Sequence, residues 1–292
     1  MTTKITKICA CTVLLLVFFI RPTVSAGVEN GQSETIKQAL EGSSLSRTGQ
    51  AEVNARATAA INAGVPAEDV KVIVVRALGS KTDAGTINRF LDAGIASKRD
   101  GLPVGPVLDR IEQGLAKGVS SERIVAATGR LVEKLGEARP LVDALVRGGV
   151  TARHASEREA AIVSSARALE KSMPAAALEG MGAAVRERRG SLPLYTSAVD
   201  TATYFAGRGM SSEKASQLVR HAVEKGSSAH DLGAMARQMD DEMKQGTRAE
   251  EAADKMERDG MQGERGMGSR DMQSGHGGGA GSGMGGMGGR GR

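Results

Sequence analysis

The chain has 292 residues, with 39 basic against 34 acidic side chains, only 2 % aromatic residues and no tryptophan. Charges of both signs are interspersed, so the basic stripe and stacking aromatics of a nucleic-acid binder are missing, and nucleic acid is not an expected partner. Both cysteines, Cys9 and Cys11, fall in the first segment, which leaves the rest without thiol or disulfide chemistry and dependent on core packing.

Residues 1–26 read as a signal peptide. Lys4 and Lys7 precede an apolar run from Ile8 to Ile20, Arg21-Pro22 breaks it, and Val24-Ser25-Ala26 offers small residues for cleavage. As a helix this run would rise about 20 Å, short of a ~30 Å hydrocarbon core, so an uncleaved anchor is disfavoured. The two cysteines open the apolar stretch and do not follow it, which argues against lipidation. The expected mature chain starts near Gly27 and is exported to the periplasm or the exterior. Without Lys4, Lys7 and Arg21 it holds 36 basic against 34 acidic residues. No later segment approaches the length of a transmembrane span.

Residues 27–50 read as an N-terminal linker. From Ala51 to residue 259, apolar side chains recur at three- and four-residue spacing, as in Val70, Ile73, Val74, Ala77 and Leu78, among good helix formers. This predicts an all-α array of helical hairpins, α-solenoid-like or a multi-helix bundle. The one strand-like run, Val70 to Val75, is read as buried helix because its flanks are helical and no partner strand returns.

The turns repeat one chemistry: a glycine closes a helix, an apolar residue packs back, and Ser, Thr or Pro opens the next helix. The pattern appears as AGVPAEDV (63–70), KGVSSERI (117–124), GGVTARHA (148–155), RGMSSEKA (208–215) and KGSSAHDL (225–232), and more weakly as AGIASKRD (93–100), KSMPAAAL (171–178) and QGTRAEEA (245–252). Gly64, Gly118, Ser172 and Gly226 stand 54 residues apart. With a second turn assigned at Gly94, Gly149 and Gly209, the expectation is a repeat of about 54 residues holding two helices. The segments Gly101–Pro106 and Arg188–Leu194 interrupt the helical pattern.

Residues 260–292 hold 15 of the 39 glycines and no Leu, Ile, Val or aromatic residue. Such a composition predicts a disordered tail.

No metalloprotease, nucleophile-elbow, phosphate-loop or dinucleotide motif occurs. His154, His221, His230 and His276 are scattered, and the acidic cluster Asp240-Asp241-Glu242 has basic neighbours on a helix surface. No catalytic, cofactor or metal residue is assigned, and no cofactor is expected. Met235, Met239 and Met243 share one helical stripe, and Met256, Met261, Met267, Met272, Met284 and Met287 continue toward the C-terminus. Soft thioethers with His276 make an envelope Cu(I)/Ag(I)-binding protein the alternative reading. The favoured expectation is an exported, non-catalytic protein-interaction scaffold that meets other envelope proteins or peptides.

Overall fold

The computed structural model describes the backbone of residues 26–266 and the side chains of residues 34–258. Twelve α-helices account for its regular structure: α1 (Ala26–Glu41), α2 (Arg47–Asn62), α3 (Ala67–Gly79), α4 (Ala84–Arg99), α5 (Gly105–Ala116), α6 (Ser121–Arg147), α7 (Ala155–Glu170), α8 (Ala175–Glu187), α9 (Leu192–Gly207), α10 (Ser212–Glu224), α11 (Ala229–Lys244) and α12 (Ala249–Gly266). Among the described residues no strand forms beyond one isolated bridge between Thr151 and Ser191. The array is all-α, as the apolar periodicity predicts. No described helix is long and apolar enough to cross a membrane.

Local chemistry sets the helix ends. The Ser46, Asp83 and Ser211 side chains accept from the backbone N–H three residues on, and Ser228 with Asp231 forms a reciprocal capping box. Pro66 and Pro174 stand immediately before α3 and α8. At the other ends one residue turns left-handed and the next N–H reaches back five residues. Val65 bonds the Ala60 carbonyl, Leu102 that of Ser97, and Met210 that of Phe205. Val65, Leu102 and Met210 are buried by this return.

The left-handed residues expose the true period. Gly64 and Gly101, Lys81 and Gly118, Ser172 and Gly209, Arg189 and Gly226, and Gly209 and Gly246 are each 37 residues apart. Helices alternate accordingly: α2, α4, α7, α9 and α11 have 16 residues, and α3, α5, α8 and α10 have 13, 12, 13 and 13. The 54-residue, two-helix unit is therefore corrected: from Gly64 to Gly118 the chain passes through three helices, one and a half turns of the 37-residue hairpin. Gly94 is not a turn but lies buried within α4, where an added Cβ would stand 3.3 Å from Leu108.

The helices fall into two compact units, one containing α1–α7 and the other residues 148–151 with α8–α12. In the first, α1 packs on α3 and α3 on α5, while α2 packs on α4 and α4 on α6. In the second, α8 packs on α10 and α9 on α11. Helices within each unit thus meet both sequence neighbours and second-next helices, the two-ply arrangement of a helical solenoid. Cores are aliphatic and thin: Val70, Ile73, Val74 and Ala77 from α3 and Ile87, Phe90 and Leu91 from α4 are buried. Fully burying each larger side chain contributes roughly 1.5–3 kcal/mol.

Two further readings change. The linker at 27–50 is helix α1 and the start of α2, because Ile36 and Leu40, one turn apart, are buried in the unit whose core α1 joins by packing on α3. Helix α6 runs 27 residues, through Pro140, where the 37-residue period would place another turn. At the C-terminus α12 extends to Gly266, beyond the expected tail boundary at residue 260, and its Ala252, Ala253 and Met256 are buried. Of the signal peptide expected at 1–26 and the tail expected at 260–292, residues 1–25 and 267–292 lie outside the described residues.

Candidate functional site

The most distinctive surface feature is a groove in the first unit between α4 and α6, with a volume of about 350 Å³. Phe90, Ala93 and Ala96 supply one wall and Val125, Gly129 and Val132 the other, with Thr128 from α6 also in the lining and Arg89 and Asp92 from α4. The lining is chiefly apolar. Small residues leave it open: an added Cβ on Gly129 would meet nothing within 4 Å. Thr128 is only 2 % exposed, and its hydroxyl is buried with no hydrogen-bond partner among the described residues. A buried hydroxyl without a partner costs about 1–3 kcal/mol, and this one is already shut off from solvent beneath the groove.

Electrostatics around the groove follow from the repeat. Asp92 is engaged by Arg56 of α2, 36 residues earlier, and Arg76 of α3 reaches Glu112 of α5 over the same interval at 3.0 Å. Both pairs are about half exposed, so each contributes under ~1 kcal/mol and serves mainly to set register between hairpins. The position 37 residues beyond Asp92 is Gly129, which has no side chain, and the tie is not repeated between α4 and α6. Arg89 is exposed and donates to the Thr86 hydroxyl at 3.1 Å. Asp83, the N-cap of α4, is held below the usual carboxylate range by hydrogen bonds from the Thr86 hydroxyl and N–H, with a smaller contribution from Arg89.

In the second unit a cleft of about 500 Å³ opens between α10 and α12, lined by Glu213, Gln217, Arg220, His221 and Glu257 among others. It is polar and of mixed charge, and Lys214 crosses it to Asp254 at 2.7 Å. Nδ1 of His221 stands 3.8 Å from Glu224.

The residues singled out by sequence are dispersed. His154 and His230 are exposed, and His276 lies outside the described residues. Met239 is fully buried, whereas Met235 and Met243 are half-buried on the same helix, so the stripe packs into the core at its centre. No group of three or more His, Cys, Asp or Glu side chains is placed to hold a metal ion among the described residues. Tyr195 and Phe205 are fully buried core residues. Tyr204 instead spans α9 to α11: its hydroxyl bonds Asp240, and Arg208 donates to that hydroxyl at 2.7 Å and pairs with Asp240 at 2.7 Å. Asp240 is thereby a structural link. The sequence reading missed the groove, because its signal is the smallness of Ala93, Ala96 and Gly129 facing one another from helices more than thirty residues apart.

No protein-family model, curated protein or solved structure matches this chain.

Proposed function

We propose that this protein is an exported, non-catalytic helical-repeat scaffold of the cell envelope that binds other proteins or peptides. The observation that carries the reading is the open α4/α6 groove on a stack of helical hairpins, lined chiefly by apolar side chains. Grooves between stacked helices present continuous surface at little cost in ordering, which suits them to gripping a segment of another chain. The N-terminal succession of charged, apolar and small residues supports export. Mature chain cross-linked in envelope extract should yield a small, reproducible set of partners, and N-terminal sequencing of the envelope form should begin near Gly27. An intact Met1 on that material would remove the export half of the reading, and the absence of any saturable partner the other half.

A further inference from the structure

We infer that α12 is a terminal cap released by oxidation of Met256, a redox switch that does not depend on the scaffold reading above. Apart from Met1, every methionine of the chain lies at or beyond residue 173, and no cysteine follows Cys11. The first unit buries no methionine, whereas the second buries Met173, Met181, Met210, Met239 and Met256. Among the described residues, sulfur open to a two-electron oxidant is therefore confined to the second unit. Helix α12 depends on it most. It contains no Leu, Ile, Val or aromatic residue, and the side chains it buries among those described are Ala249, Ala252, Ala253 and Met256. Of these, Met256 alone is large enough to anchor a helix. Extensive packing reaches α12 from α11 only. Toward α10 it stands off across the 500 Å³ cleft, which Lys214 spans to Asp254. That ion pair and Lys255–Glu242 each have one side chain at least half exposed, so they orient the helix more than they hold it.

Access to the sulfur follows from the same geometry. Met256 keeps 8 % of its surface exposed where Met181 and Met239 keep none, and Ala253 and Glu257, its neighbours along α12, line the open cleft. A helix supported on one flank also opens locally more readily than one stacked between two others. The oxidant is a peroxide. The Sδ lone pair attacks one oxygen of hydrogen peroxide and the O–O bond breaks; the departing hydroxide takes the proton from the transferred oxygen and leaves as water. Sulfur gives up two electrons, the peroxide is reduced, and the product is methionine sulfoxide. A flexible apolar side chain has become a polar one with a strong acceptor. The other buried side chains of α12 are alanines, which offer that oxygen no donor, so the oxidised helix is better solvated than docked.

The test follows amide hydrogen exchange of the full mature chain by mass spectrometry, before and after hydrogen peroxide, with the sulfoxides mapped residue by residue. Oxidation of Met256 should speed exchange of the α12 amides by roughly tenfold or more, while α2–α5 keep their protection. Methionine sulfoxide reductases of both epimer specificities should restore slow exchange. Met256→Leu conserves volume and apolarity without the sulfur, so its α12 should stay docked through the same treatment. Met256→Gln places a polar group there and should undock α12 with no oxidant. A chain with Met235, Met239 and Met243 replaced by Leu keeps Met256 and should respond as wild type does. Four results would each overturn the inference: unchanged α12 exchange once Met256 is oxidised, a full response from Met256→Leu, Met256 left unoxidised while the half-buried Met235 and Met243 react, or free exchange of α12 in the reduced protein.

Discussion

At Gly118 and Gly226 the backbone takes φ of +63° and +114°, and an added Cβ would meet no atom closer than 3.7 Å at either place. The penalty for a side chain there is conformational and not steric, so Gly→Ala should destabilise by roughly 1 kcal/mol at each. Gly129, in the interior of α6 with open space around it, should respond oppositely, Gly→Ala being neutral or stabilising by ~0.5–1 kcal/mol. Chemical denaturation of the three variants checks this, and identical responses would contradict the helix boundaries. Lys81, Ser172 and Arg189 adopt the same left-handed conformation without being glycine. They help conceal the period: three of the five 37-residue pairs have Lys81, Ser172 or Arg189 at one end, and only Gly64–Gly101 and Gly209–Gly246 are glycine at both. A titration belongs to this scale as well. The carboxyl of Asp83 has a depressed pKa, so its contribution is present above the ordinary aspartate value near 4 and is lost as pH falls through its native value. Asp83→Asn keeps a capping oxygen but cannot titrate. Thermal melts should therefore match wild type near pH 7, and the variant should lose less stability below pH 4. A parallel acid limb in the two proteins would refute the assignment.

Among the elements, α6 departs furthest from the pattern. Pro140 has no N–H to give the Gly136 carbonyl, and proline within a helix costs about 3 kcal/mol relative to alanine. Pro140 is exposed, so Pro140→Ala should stabilise the protein by ~1–3 kcal/mol in urea denaturation; a loss of stability would mean that the packing of α6 on α7 depends on the break. Nothing in the sequence marks α6 as continuous, since a proline ordinarily ends a helical pattern. Helix α1 was equally illegible: its charged and polar residues mask the two buried positions, Ile36 and Leu40. The methionine stripe on α11 was legible, and its chemistry can be separated from its packing. Replacing Met235, Met239 and Met243 by Leu should cost under ~1.5 kcal/mol per site. Silver(I) binding under reducing conditions should be weak and unchanged in that variant; tight stoichiometric uptake lost with the three thioethers would favour the metal-binding alternative.

At the scale of the whole molecule, the apolar three- and four-residue periodicity sufficed for the all-α class, while the number of helices per repeat depended on turns of which Lys81, Ser172 and Arg189 carry no glycine. Removing residues 267–292, which contain no Leu, Ile or Val, should leave the melting temperature and the helical circular-dichroism signal per molecule unchanged. A fall of more than about 5 °C, as expected from ~1–2 kcal/mol in a chain of this size, would show that this segment contributes to the fold. The packing order has a kinetic consequence. Every extensive helix contact joins a helix to its next or second-next neighbour, and even the far-reaching Arg110–Glu170 pair spans 60 residues. Few long loops must close before contacts begin to reward the chain, which places each unit among fast-folding topologies. A polypeptide emerging N-terminus first could therefore consolidate α1–α3 while α6 is still being threaded out, and with no cysteine beyond Cys11 it would need no oxidant to finish.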